Sequence, residues 1–177
     1  MGIEVEWARM TAPDLREIAA RKGALAILPA GSLEQHGPHL PVITDTASAS
    51  AASIAAARLV VEGPDPVPVA VLPGLWLGLS EHHLPFGGTI SVDYAAYRAI
   101  LESIVRSLRA LGFARLLIVN GPAAISIRLP WHRANWRWHM IFRSWPRRRG
   151  SWRPQRSRRS SSPTPHRNTP ARVKPRS

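Results

Sequence analysis

Cysteine is missing from all 177 residues. That excludes a disulfide framework, a cysteine-ligated zinc finger and a thiol nucleophile. Long apolar runs are missing too. A membrane-spanning helix needs about 18 or more apolar residues, and the nearest stretch, Ala47 to Val61, is broken by Ser48, Ser50, Ser53 and Arg58. The opening Met1-Gly2-Ile3-Glu4-Val5-Glu6 has no basic segment leading into an apolar one, so no secretory signal is expected. A cytoplasmic protein with no membrane partner is the expectation. The most telling shortage is of acids. All 11 Asp and Glu lie in residues 1–121, beside 9 of the 24 Lys and Arg, whereas residues 122–177 carry 15 basic residues and no acid. The formal charge of +13 is therefore a property of the last third of the chain. Two regions follow: a front region, residues 1–121, and a basic tail, residues 122–177, rich in Arg, Pro, Ser and Trp.

The front region alternates strand and helix patterns. Thr11-Ala12-Pro13-Asp14 opens a helix, with Thr11 as cap, Pro13 in the first turn and Asp14 at the positive end. Leu15, Ile18 and Ala19 form its apolar stripe, and Gly23 stops it. Ala24 to Leu28, up to Pro29, is a short continuous apolar run of the kind that forms a strand buried on both faces. Thr46 to Glu62 is Ala-rich, with Ile54, Ala57 and Val61 at helical spacing. Val69 to Leu72 is a second strand. Asp93 to Leu111 is the clearest helix: Tyr94, Tyr97, Leu101, Ile104, Val105, Leu108 and Leu111 share a face, with Arg98, Glu102, Arg106 and Arg109 opposite and Glu102–Arg106 spaced as an ion pair. Gly112 ends it, and Arg115 to Val119 is a third strand. This order predicts an α/β fold, a parallel sheet with helices on both faces. Ligands of such sheets bind beyond the carboxyl ends of the strands, where the polar segments of this chain fall.

Chemistry concentrates in one of those segments, Gly31-Ser-Leu-Glu-Gln-His-Gly-Pro-His-Leu-Pro-Val-Ile-Thr-Asp45. Within it lie Glu34, His36, His39 and Asp45, carboxylates and imidazoles that form a mixed nitrogen and oxygen donor set suited to a divalent metal. Glu34 and His36 point to the same side of an extended segment, and Asp45 can return after the turn made by Gly37, Pro38 and Pro41. A bridging carboxylate at Asp45 would suit two ions about 3.5–4 Å apart. The plainer reading is a polar loop whose His and Asp side chains bond neighbouring backbone, with Asp45 capping the next helix.

The segment closely resembles the creatininase (creatinine amidohydrolase) family, whose members carry Gly-Ser-x-Glu-Gln-His-Gly-x-His-Leu-Pro followed by Thr-Asp. Gly78-Leu-Ser80-Glu81-His82 with Phe86-Gly-Gly-Thr89-Ile-Ser91, and Leu116-Leu-Ile-Val-Asn120-Gly121, are similar to later family stretches in the same order. The resemblance covers residues 1–121. It implies a hydrolase of cyclic or other non-peptide amide C–N bonds, with two divalent ions (zinc, manganese or iron), a small-molecule amide substrate and a homo-oligomer. By position it makes Glu34 and His36 metal ligands, one per ion, and Asp45 the bridge. Glu81 and His82 would line the substrate pocket or serve loop hydrogen bonding. His39 and His83 are expected to be structural only; His83 lies beside His82, and neighbours in an extended loop cannot easily serve one site.

The resemblance stops inside a motif. After Asn-Gly the family continues His-Gly-Gly-Asn, its histidine being the next metal ligand. Here the chain reads Pro122-Ala123-Ala124-Ile125, and the later Glu ligand is also absent. A shifted reading frame accounts for this. Codons GGC CAC GGC GGC AAT, less the A of CAC, become GGC CCG GCG GCA AT, which reads Gly-Pro-Ala-Ala and then Ile. Trp131-His132 and Asn135 to His139 are compatible with a hidden frame of good helix formers. The expectation is a fragment that is inactive as written, poorly folded, with a sheet edge left bare after three strands and a disordered tail. The alternative is a tail that binds nucleic acid nonspecifically, through Arg147-Arg-Arg149, Arg156 and Arg158-Arg159 with Trp145 and Trp152 interleaved.

Overall fold

The computed structural model describes residues 2–121 and the backbone of residues 139–141. The elements run α1 (Ala12–Ala20), β1 (Leu25–Ala30), α2 (Thr44–Val61), β2 (Val69–Val71), α3 (Tyr94–Leu111), β3 (Arg115–Asn120) and β4 (His139–Ile141). The strands are ordered β2-β1-β3-β4 and every pairing is parallel. The tail's remaining residues, and the readings made on them, lie outside the described residues.

The faces of the sheet follow from strand alternation. Ala26, Leu28 and Ala30 of β1 join Ala70, Leu116 and Ile118 in one core with Leu15 and Ala19 of α1 and Tyr97, Leu101, Val105 and Leu108 of α3. Ile27, Val69 and Val71 face the other way, against Val5 and Ala57 and Val61 of α2. Helices thus cover both faces, α1 and α3 on one and α2 on the other. The β1-to-β2 and β2-to-β3 crossovers leave on opposite faces and in opposite directions along the sheet. The loops after β1 and β2 consequently part at their carboxyl ends, the crevice where open α/β sheets take ligands.

Local chemistry explains the ends. Thr11 and Asp14 form a reciprocal capping box at α1. Asp93 caps α3 by accepting from the Ala96 N–H at 2.7 Å, and Gly112, at φ 100°, closes it in the left-handed region. Helix α2 presents Ala49, Ser53 and Ala57 to the sheet, small residues that let it approach closely.

Four expectations are corrected. Strand β1 does not stop before Pro29 but runs through it to Ala30. The Pro29 carbonyl accepts from Leu75 N–H on the β2 side, so its missing N–H also faces that side, past the end of β2, and no ladder bond is lost. In α3, Tyr94 and Leu111 are exposed at the two helix ends rather than part of the buried face. Glu102 has an arginine one turn to either side and takes Arg98, at 2.7 Å, while Arg106 takes Ser103 Oγ. The outer edge of β3 is not bare, because Leu117, Ile118 and Val119 pair with β4.

Burial pushes the Tyr97 hydroxyl up to about 12. Its folded value exceeds the unfolded one, so its contribution is present below about pH 10 and lost as pH rises towards 12. An ultraviolet titration is expected to show Tyr97 ionising late and together with loss of α3 helicity. Ionisation at the ordinary tyrosine value with the helix intact would show that Tyr97 is not buried.

Candidate metal centre

The loop after β1 is held from three sides. Leu33 pairs with Ile90, and Glu34 N–H donates to the Val42 carbonyl at 3.1 Å. Gly31 lies where a β-carbon would stand 2.4 Å from the backbone nitrogen of Thr46, so only glycine lets β1 end against the first turn of α2. Gly78 does the same for the second loop: its β-carbon would lie 2.6 Å from that of Ser32. These close approaches bring the two loops and the start of α2 together.

Glu34, His36 and Asp45 meet there, each offering a ligand atom within 4.8 Å of the others. Asp45 is 2% exposed and Glu34 8%. Asp45 is not the cap of α2. It lies inside the first turn, where the helix dipole favours a carboxylate, and its side chain accepts from Ser32 Oγ at 2.8 Å and faces His36 Nε2 at 3.1 Å. Burying a carboxylate costs several kcal/mol before compensation, and two of them side by side repel. Burial alone would raise the Glu34 carboxyl. The Ser80 hydroxyl, then Ser32, then the imidazoles of His83 and His36 outweigh it and hold Glu34 below the usual carboxylate range. The single Ser32 proton goes chiefly to Asp45, leaving Ser80 as the main donor to Glu34.

The imidazole of His36 tests whether a metal fits. Its Nδ1 stands 3.0 Å from the Glu34 carbonyl, an atom that only accepts, so Nδ1 carries the proton. In the neutral ring Nε2 then turns a lone pair towards Asp45 Oδ1 at 3.1 Å. Two lone pairs at that distance need a cation. A proton is one answer: burial opposes it, but the Glu34 carbonyl and the Asp45 carboxylate more than compensate and raise the ring above its ordinary value. A divalent ion is the other. Two donors at about 2.1 Å from a tetrahedral ion stand roughly 3.4 Å apart, and ligating histidines typically give their other N–H to a backbone carbonyl or carboxylate. The donor set fits.

The remaining histidines take separate places. His39 is exposed. Glu81 and His82 are exposed in a short 3-10 turn, Glu81–Phe86, and line a surface depression with Leu79, Ser91 and Val92 rather than joining the triad. It is His83 that turns inward, its Nε2 3.6 Å from Glu34 Oε1 and its Nδ1 3.2 Å from Gln35 Nε2. The argument from alternation assumed an extended loop; in a 3-10 turn neighbouring side chains point about 120° apart. Ser80, buried and bonded to Glu34 Oε2, was also missed. The only signal for either was their place in the second family-like stretch.

The sequence profile of the Creatininase family, described as creatinine amidohydrolase, matches residues 8–127. A mycofactocin precursor peptide peptidase of Mycobacterium tuberculosis is 42% identical over 101 residues, covering 54% of this chain and 39% of the relative. A creatinine amidohydrolase of Pseudomonas putida is 32% identical over 116 residues, covering 60% of this chain and 41% of the relative. Among solved structures, a manganese form of creatininase superposes with a TM-score of 0.60 at 27% identity, over 67% of this chain and 46% of that one. A Zn-Zn form of a creatininase variant gives 0.60 at 28% identity, over 68% and 46%. The chain spans less than half the length of these relatives.

Gly31→Ala is expected to destabilise by about 1–3 kcal/mol, because the added methyl must push α2 off the end of β1. The check is the urea midpoint by circular dichroism. An unchanged midpoint would mean that β1 and α2 do not approach at that point.

Proposed function

The chain belongs to the creatininase family, and from that premise we propose that residues 1–121 are the front part of a metal-dependent amidohydrolase. The observation that carries the reading is the Nε2 of His36 set against Asp45 with its other nitrogen committed to a backbone carbonyl. Glu34 and His36 would each hold one of two divalent ions (zinc, manganese or iron), and Asp45, with two oxygens, would bridge them. When bound, such ions supply Lewis-acid polarisation of an amide carbonyl and acidify water at neutral pH. The chain's own contribution is placement: Ser32 and Ser80 donate to Asp45 and Glu34 and hold both carboxylates at the crevice. The substrate class is an amide C–N bond in a small molecule. The named relatives, a creatinine amidohydrolase and a precursor peptide peptidase, span cyclic amides and peptides. Glu81 and His82, on the depression beside the site, are the candidate substrate contacts on this half. The assembled enzyme would be a homo-oligomer.

The chain as written would be inactive. Three donors are fewer than two complete coordination spheres need, and Pro122, which has no side-chain donor, stands where the family motif continues with histidine. A one-base frame shift after Gly121 explains both the interrupted motif and the acid-free tail. Among the described residues no helix is long and apolar enough to cross a membrane. The second reading, nonspecific nucleic-acid binding, rests on the 15 basic residues of the tail.

Two measurements separate these readings. Restoring the frame at codon 122 should yield a protein that purifies with about two ions per chain and has chelator-sensitive amidase activity, while the unrepaired chain turns nothing over. A repaired protein that purifies metal-free and gains no thermal stability from zinc or manganese would overturn the hydrolase reading. RNA retention that is salt-sensitive and lost on truncation at Gly121, in a chain whose repair restores no activity, would favour the tail.

A further inference from the structure

The surroundings of His83 assign it a part that lies outside the metal triad. The inference starts from Gln35. Its Oε1 accepts from the Gly37 N–H at 3.0 Å. A backbone N–H cannot serve an amide nitrogen, so this bond fixes which end of the Gln35 amide is oxygen. The Nε2 end therefore faces His83 Nδ1, at 3.2 Å, and donates to it. With Nδ1 accepting, the proton of the neutral His83 ring belongs on Nε2, the atom 3.6 Å from Glu34 Oε1. That spacing is longer than a hydrogen bond and within electrostatic contact. The other Glu34 oxygen is taken by the Ser80 hydroxyl. The ring is confined as well: the rings of His82 and Phe86 lie 4.2 Å and 6.1 Å away, and Thr89 Oγ1 holds the His83 carbonyl at 3.3 Å.

We infer that His83 is a positioning residue for Glu34, its tautomer set by Gln35, so that the chain Gly37 to Gln35 to His83 orients the carboxylate that would bind metal. The inference deepens the amidohydrolase reading and rests on it for the metal. His83 and His36 then differ in kind. His36 carries its proton on Nδ1 and offers Nε2 as a lone pair, whereas His83 carries its proton on Nε2 and offers it as a donor. The four-residue reach from Gly37 back to Glu34 is short, so the loop turn itself selects the tautomer.

The test uses the full chain, with Co2+ as the probe followed by its visible absorption. Outer-shell partners of metal ligands typically contribute about 10–100-fold to affinity. His83→Leu is expected to weaken Co2+ binding about ten-fold, and His83→Gln, which keeps an N–H donor, to recover most of the loss. Equal Co2+ affinity in His83→Leu and wild type would overturn the inference, as would failure of His83→Gln to recover affinity while its circular dichroism matches wild type. A metal-free measurement stands beside it: nitrogen-15 correlation spectra of the ring should show His83 protonated on Nε2, and Gln35→Leu should abolish that preference. An Nδ1-protonated ring in wild type would also overturn the inference. If wild type binds no Co2+ while His83 shows the Nε2–H form that depends on Gln35, the metal reading of this chain fails and the positioning of Glu34 stands.

Discussion

Two carboxylates are buried beyond the end of one strand, and the rest of the site is organised around giving them hydrogen-bond donors. Asp45 and Glu34 sit where water cannot solvate them fully, so each needs donors close by. Asp45 receives Ser32 and the first turn of α2; Glu34 receives Ser80. These donors come from the loop after β1 and the loop after β2, which are far apart in sequence. Their convergence depends on glycines at 31 and 78, where a single methyl would force the backbones apart. The folding problem and the chemical problem are thus solved by the same contacts: loops that pack without side chains between them also place oxygen donors against oxygen acceptors.

The sheet topology sends the two loops towards opposite faces, and the approaches at Gly31 and Gly78 hold their near parts together. Helices α2 and α3 lie on opposite faces, so the loops leading to them diverge, and the opening between them is where buried charge can still meet solute. The triad occupies the β1 side of this opening, and Ser80 and His83 the β2 side. A family whose solved members include a manganese form and a Zn-Zn form is what such a crevice, lined by carboxylates and imidazoles, suits chemically.

The fold was legible in sequence wherever one local rule sufficed. Helices α1 and α3 carry explicit caps at Thr11, Asp93 and Gly112, and Leu15 and Ala19 of the one and Tyr97, Leu101, Val105 and Leu108 of the other are buried as their spacing requires. The triad was legible because Glu34, His36 and Asp45 lie within twelve residues of one another. What could not be read was tertiary. Pro29 looks like a strand breaker until the end of β2 is known, and Tyr94 and Leu111 obey helical periodicity yet overhang the sheet. The inward turn of His83 in place of Glu81 or His82 depends on a 3-10 geometry that alternation of side chains does not anticipate. Ser80 reaches Glu34 across 46 residues of chain, a contact that no window along the sequence contains.

Pro29 has one last effect. With no donor to offer there, β1 meets the segment after β2 through its carbonyl alone at that residue. Leu75 donates to the carbonyl of Pro29 itself and accepts from the Gly31 N–H, so that Ala30 and Leu75 bridge in parallel just beyond the proline. The ring therefore thins this seam rather than closing it, and the segment after β2 stays tied to the end of β1 by main chain alone.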